Sequence, residues 1–164
     1  MMIYPAPAFE NKICPPAELA GRIASLPRPL VFTNGCFDIL HRGHVSYLAQ
    51  ARELGAAMIL AINTDASVRR LGKGDDRPIN STEMRAAVLA ALASVDLVTW
   101  FDEDTPYELI MQIKPDILVK GGDWTIDRIV GSSEVLGWGG QVHSIPFLHQ
   151  TSTTQTLNKI RTSS

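Results

Sequence analysis

The 164 residues suffice for one domain of ordinary size, and 45% hydrophobic with 20% charged residues is the balance of a soluble globular chain that buries its own core. The formal charge of −2 gives no global pull toward nucleic acid or an acidic membrane, so any anion-binding chemistry must be local. Two cysteines, Cys14 and Cys36, stand apart from any Cys-x-x-Cys or Cys/His pairing, which argues against a disulfide framework or a structural zinc site and suits a reducing, cytoplasmic setting.

The N-terminus has neither the basic nor the apolar segment of a secretory signal. After Pro15-Pro16, the apolar residues Leu19, Ile23 and Leu26 recur at helical spacing until Pro27 stops them. Leu30-Val31-Phe32 reads as a buried strand, followed by a glycine-bearing turn and a helix over about 44–53 that ends near Gly55. Residues 58–62 form a second apolar strand, closed by Asn63-Thr64-Asp65, and 71–78 is a polar loop. Asn80 with Glu83 predicts a capping box for a helix carrying Met84, Val88, Ala91 and Leu92. The longest apolar stretch, 86–98, contains Ser94 and Asp96 and is too short to cross a bilayer.

A third strand follows over 95–101. Thr105, Pro106 and Glu108 predict a cap, a first-turn proline and a first-turn acid for a helix bearing Leu109, Ile110 and Ile113. Ile117-Leu118-Val119 and residues 142–145 are further strands, and a closing helix from near Thr153 carries Leu157 and Ile160. Short apolar runs alternating with amphipathic helices predict an α/β fold, a single Rossmann-like parallel sheet of about five strands with helices on both faces. The whole chain reads as one domain, with residues 1–28 an extension and helix packed on it. Ligands of such sheets sit beyond the carboxyl ends of the strands.

The polar clusters fall at those ends. The first strand leads into Thr33-Asn34-Gly35-Cys36-Phe37-Asp38 and then His41-Arg42-Gly43-His44 at a helix start. A helix N-terminus offers unsatisfied N–H groups and the positive end of the dipole, and two histidines three residues apart can both reach a phosphate chain over that first turn. Gly35 and Gly43 allow the backbone close to a ligand. A helix cap for His41 and a satisfied core histidine for His44 are the plainer alternatives.

His-x-Gly-His after a strand and a Gly-x-Phe-Asp turn resembles the signature of the nucleotidyltransferase superfamily related to class I aminoacyl-tRNA synthetases. Adding Asn63-Thr64-Asp65, the loop from Lys73 to Pro78, Val119-Lys120-Gly121-Gly122-Asp123-Trp124 and Thr151-Ser152-Thr153-Thr154 narrows the likeness. Together they resemble the adenylyltransferases that make ADP-heptose from heptose 1-phosphate, over about residues 13–160.

The resemblance implies that His41, His44 and Lys120 are catalytic. It implies ATP as substrate, Mg²⁺ carried mainly by the substrate phosphates, a separate sugar kinase supplying the acceptor, and a homo-oligomer. No nucleic-acid or membrane partner is expected. The product would enter lipopolysaccharide inner-core or other heptose-containing glycan synthesis. A cytidylyltransferase acting on glycerol 3-phosphate or a related small phosphate, and a non-catalytic nucleotide-binding module, are the rival readings.

Individual residues carry open alternatives. Lys73 and Arg77 are a phosphate clamp or solvated loop charges. Asp123 binds the sugar or caps a turn, and Arg85 holds phosphate or is an ordinary solvated charge. Asp38 helps hold a metal or His41, or closes an Asx-turn. Ser152, Thr153 and Thr154 hold the outer phosphates or cap the last helix. His143 and His149 match no motif, and Trp100, Trp124 and Trp138 read as core or pocket wall.

Overall fold

Alternation along the strands decides which layer each side chain meets. The computed structural model describes residues 4–72, 74, 76–149 and 152–162. Five strands, β1 (Leu30–Gly35), β2 (Ala57–Asn63), β3 (Leu97–Phe101), β4 (Ile117–Gly121) and β5 (Gln141–Ile145), form one parallel sheet in the order β3-β2-β1-β4-β5. Leu30 and Phe32 of β1 join Ile59, Leu97 and Leu118 in one apolar layer; Val31 joins Met58, Leu60 and Val98 in the other. Burial on both faces explains why these strands read as continuous apolar runs rather than as alternating ones.

Helices α1 (Leu19–Ile23), α5 (Tyr107–Ile113) and α6 (Ser132–Gly137) contribute Leu19, Ile110, Ile113 and Val135 to the first layer. Helices α2 (Arg42–Arg52) and α4 (Thr82–Ala90) contribute Tyr47, Leu48, Ala86 and Leu89 to the second. Two more helices, α3 (Asp65–Arg70) and α7 (Thr153–Thr162), follow β2 and close the described chain. Among the described residues, no helix is long and apolar enough to cross a membrane.

Two cap assignments need correction. The N-cap of α4 is Ser81, whose hydroxyl accepts from the Met84 amide; Asn80 is turned away, its side chain donating to the Asp38 carbonyl at 2.6 Å. The helix is rotated accordingly: Met84 and Val88 are exposed, and Arg85, Ala86, Leu89 and Ala90 face inward. At α5, Pro106 takes the N-cap position with no side-chain capping bond, so Thr105 is not the cap.

The strand order places the topological switch between β1 and β4. Pairing of β1 with β2 continues to Gly35, whereas pairing of β1 with β4 stops at Thr33 and Val119. Beyond that point the two strands part, and Asn34 and Lys120 stand at the lips of the gap. Parting strands at a switch point form the crevice in which ligands of such sheets bind.

Candidate active site

The chain leaves β1 through a turn that only particular residues permit. Phe37 has φ 48°, a left-handed conformation that costs a bulky residue about 1–2 kcal/mol. Its ring is held by packing, 6.2 Å from Tyr47 and 5.2 Å from the His44 imidazole. Gly35 is needed beside it, because a Cβ there would lie 2.9 Å from the Phe37 ring. The turn delivers His41 to the N-cap of α2 and His44 to its first turn, where the two imidazoles stack with centroids 3.8 Å apart.

Burial lowers the His41 pKa below its ordinary value, so at neutral pH the ring is mostly uncharged before any anion arrives. A polyphosphate over it would favour the protonated form. Both rings border a cavity of about 490 Å³ at the β1/β4 gap. Lys120 forms part of its wall, with its ammonium 5.9 Å from the centre of the half-exposed Trp124 ring. Gly121, next along β4, leaves room for Tyr47, since a Cβ would meet that ring at 2.9 Å. Tyr47 is buried, which pushes its phenol pKa up, and its hydroxyl lies 3.4 Å from Thr33 Oγ1.

Similarity to known proteins places the chain in a family. Residues 32–164 match the model of the family described as cytidylyltransferase-like. The chain belongs to the cytidylyltransferase-like family. Within it, the chain is 59% identical over 155 residues to a D-beta-D-heptose 1-phosphate adenylyltransferase of Bordetella bronchiseptica, covering 93% of this chain and 96% of that one. It is 58% identical over 132 residues to the bifunctional protein HldE of Hahella chejuensis, of which it spans 28%. Among solved structures, a lipopolysaccharide core biosynthesis protein from Thermoplasma volcanium superposes with TM-score 0.61 at 29% identity, covering 74% of this chain and 98% of that one. A pantoate-beta-alanine ligase from Francisella tularensis (TM-score 0.60, 15% identity, 89% of this chain and 72% of that one) shares the fold.

In this cytidylyltransferase-like chain, the cavity gathers most of the residues singled out from the sequence. Asn34, Gly35, Cys36, Phe37, Asp38, His41, His44, Arg77, Lys120, Gly121, Ser152, Thr153 and Thr154 all line it. Gly43 is buried on the first turn of α2 and Gly122 is buried just beyond β4. Lys73 and Thr151 lie outside the described residues. Trp124, Phe147 and Tyr47 also line the cavity. Tyr47 was legible in principle, because it lies three residues after His44 on the same helix face.

Several expectations change. Thr33 is fully buried against Tyr47 and is not among the residues lining the main cavity. Arg85 is neither solvated nor a phosphate ligand. Its side chain is fully buried, Nη1 donates to the carbonyls of Cys36 and Asn63 at 2.8 Å each, Nε donates to that of Asn80, and Nη2 to Asp65 and Thr82. A guanidinium has five N–H donors, and all five are spent. Asp65 is the partner in that brace: burial alone would raise its pKa, but the hydrogen bonds and charge of Arg85 with the bonds from Thr82 hold it below the ordinary carboxylate range.

Asp38 is committed as well. Its carboxylate accepts from Arg77 Nε at 2.5 Å and from the amides of Ile79 and Asn80, so it neither orients His41 nor stands ready for a metal. The same contact buries Arg77, which reaches the cavity as part of an ion pair and not as a solvated loop charge. Asp123 faces solvent on the flank beside Trp124, outside the main cavity. Ser152 and Gln155 exchange backbone and side-chain bonds at 3.1 Å each, a capping pair at the start of α7. Asn63 lines a second, smaller cavity and donates to Ser67 Oγ.

Proposed function

We propose that this chain transfers AMP from ATP to heptose 1-phosphate, giving ADP-heptose and pyrophosphate. The observation that carries the reaction type is the stacked pair of His41, at the N-cap of α2, and His44, on its first turn, bordering the cavity at the gap between β1 and β4. The heptose acceptor is supported by the 59% identity to the Bordetella adenylyltransferase over nearly the full length of both chains. The chemistry belongs in the cytoplasm, where ATP is made, and a separate sugar kinase would form the acceptor. The product would feed lipopolysaccharide inner-core or related glycan synthesis.

An oxygen of the sugar phosphate attacks the α-phosphorus of ATP as the bond from that phosphorus to the bridging oxygen breaks. The attacking oxygen is already ionised at neutral pH, so the chain needs no general base. Its work is positioning and charge neutralisation. His41 and His44, with the N–H groups of α2, would oppose the charge that gathers on departing pyrophosphate. Lys120, at the lip of the gap, would hold the phosphates on which the bond changes occur.

The cavity's residues do not form a magnesium site of their own. Asp38 is the carboxylate among the lining residues described, and Arg77 with two backbone amides occupies it. No group of three or more His, Cys, Asp or Glu suited to a metal occurs among the described residues. Magnesium is therefore assigned to the ATP phosphates as part of the substrate, and no step is drawn through a protein-held ion.

The fate of isotope tests this reaction. ATP labelled at the α-phosphorus should pass its label into a sugar nucleotide, and label at the γ-phosphorus should appear only in pyrophosphate. Label moving from the γ-position to the sugar, or to inorganic phosphate, would contradict nucleotidyl transfer.

A further inference from the structure

Ser144 stands on β5, an edge strand, as the register partner of Lys120 on β4. Period-two alternation puts their side chains on one face of the sheet, two residues beyond Val142 and Leu118 of the first layer. The β-branched Val142 and Ile145 of that strand suit a pleated surface; Ser144 has a different use, shown by its bonds. Its hydroxyl donates to the Gly122 carbonyl at 2.7 Å and accepts from the Trp124 amide at 2.9 Å. One side chain on β5 thus staples both ends of the turn that leaves β4.

The turn fastens Trp124 at two further points. The indole Nε1–H donates to the Gly121 carbonyl at 3.2 Å. Gly122, at φ 115°, leaves the space that the ring fills, since a Cβ there would lie 2.8 Å from Nε1. A tryptophan so held is still 47% exposed, so burial of apolar area is not what the fastening secures. It secures a neighbour. The ring centre lies 5.9 Å from the Lys120 ammonium, within the reach of a cation–π contact.

We propose that Ser144 is a positioning residue for the transfer reaction: it pins the 122–124 turn, the turn sets the Trp124 ring, and the ring sets the Lys120 ammonium at the gap. This rests on the role given to Lys120 above. Ser144 is not among the residues lining the main cavity, whereas Trp124 and Lys120 are, so its effect passes through them. A lysine is a point charge on a flexible four-carbon stem. Its value to the reaction depends on where that charge stands as the bonds to phosphorus change.

The test uses Ser144→Thr, which keeps the hydroxyl, Ser144→Val, its isostere without one, and Trp124→Leu. With ATP and heptose 1-phosphate, Ser144→Val should lower kcat about tenfold and Ser144→Thr should stay within about twofold of wild type, each melting within a few degrees of it. The double variant of Ser144→Val with Trp124→Leu should fall no further than Trp124→Leu alone, because both changes break one chain of contacts. Ser144→Ala carries the same comparison if the valine fails to fold. Acrylamide quenching of the emission that Trp124→Leu removes reads the hold without turnover. Loss of the hydroxyl should raise that quenching by up to about twofold, the ratio of full exposure to the present 47%, and Ser144→Thr should not. Wild-type kcat or quenching without the hydroxyl, a threonine variant as slow as the valine one, or losses that multiply in the double variant would overturn the proposal. A wild-type chain that turns over no sugar phosphate would overturn the reaction itself, and quenching would still report whether Ser144 holds Trp124.

Discussion

His44→Ala should lower kcat by about 10²–10³, the usual effect of removing one donor that acts on transition-state charge. His44 sits on the first turn of α2, stacked on His41 at 3.8 Å and backed by Phe37 at 5.2 Å. A ring so fixed needs no reorganisation when charge builds on pyrophosphate, so its contribution should fall on kcat more than on nucleotide affinity. The side chain is only partly buried, and its truncation should leave the melting temperature within a few degrees of wild type. Measuring kcat, KM for ATP and thermal unfolding together separates these effects. A folded variant that turns over within a few-fold of wild type would take His44 out of the mechanism.

Arg85→Ala should have the largest effect on stability. Truncation would strand the carbonyls of Cys36, Asn63 and Asn80 and leave the Asp65 carboxylate without its guanidinium. Breaking a buried charged network from one side costs about 3–5 kcal/mol, against a total stability of roughly 5–15 kcal/mol for a domain. At about 2–4 °C per kcal/mol for a chain of this size, melting should fall by about 6–20 °C. Arg85→Lys should recover only part of this, because an ammonium cannot span the ends of β1 and β2 as a planar fork does. Thermal unfolding by circular dichroism measures it; a drop below about 2 °C for the alanine variant would show that the brace is dispensable.

Much of the architecture was legible because it is carried by local pattern. The strands announce themselves as short apolar runs, and most of the proposed polar clusters follow one of them, so ligand chemistry at the strand ends could be anticipated from order alone. The elements that escaped have little pattern to read. Helix α3 buries only Ser67 and Val68, and α6 only Ser132 and Val135, too few for a helical stripe. Arg85 escaped for a different reason. Polarity assigns an arginine to solvent, and only tertiary structure brings three carbonyls and a carboxylate around it. The Asp38–Arg77 pair likewise joins residues 39 positions apart, and no local spacing betrays it. With Arg85 turned inward on α4, the apolar Met84 and Val88 lie on the outside.

Under the proposed function, one nucleotide and one acceptor are chosen at this gap. The most direct measurement is pyrophosphate release across ATP, CTP, GTP and UTP, each paired with heptose 1-phosphate, glycerol 3-phosphate, choline phosphate, phosphopantetheine and nicotinamide mononucleotide. Hydrogen bonds to sugar hydroxyls discriminate by up to about 10⁴, so ATP with heptose 1-phosphate should stand well clear of every other pair. Robust turnover of CTP with glycerol 3-phosphate, and none of ATP with the heptose, would contradict the assignment; so would nucleotide binding without pyrophosphate from any pair.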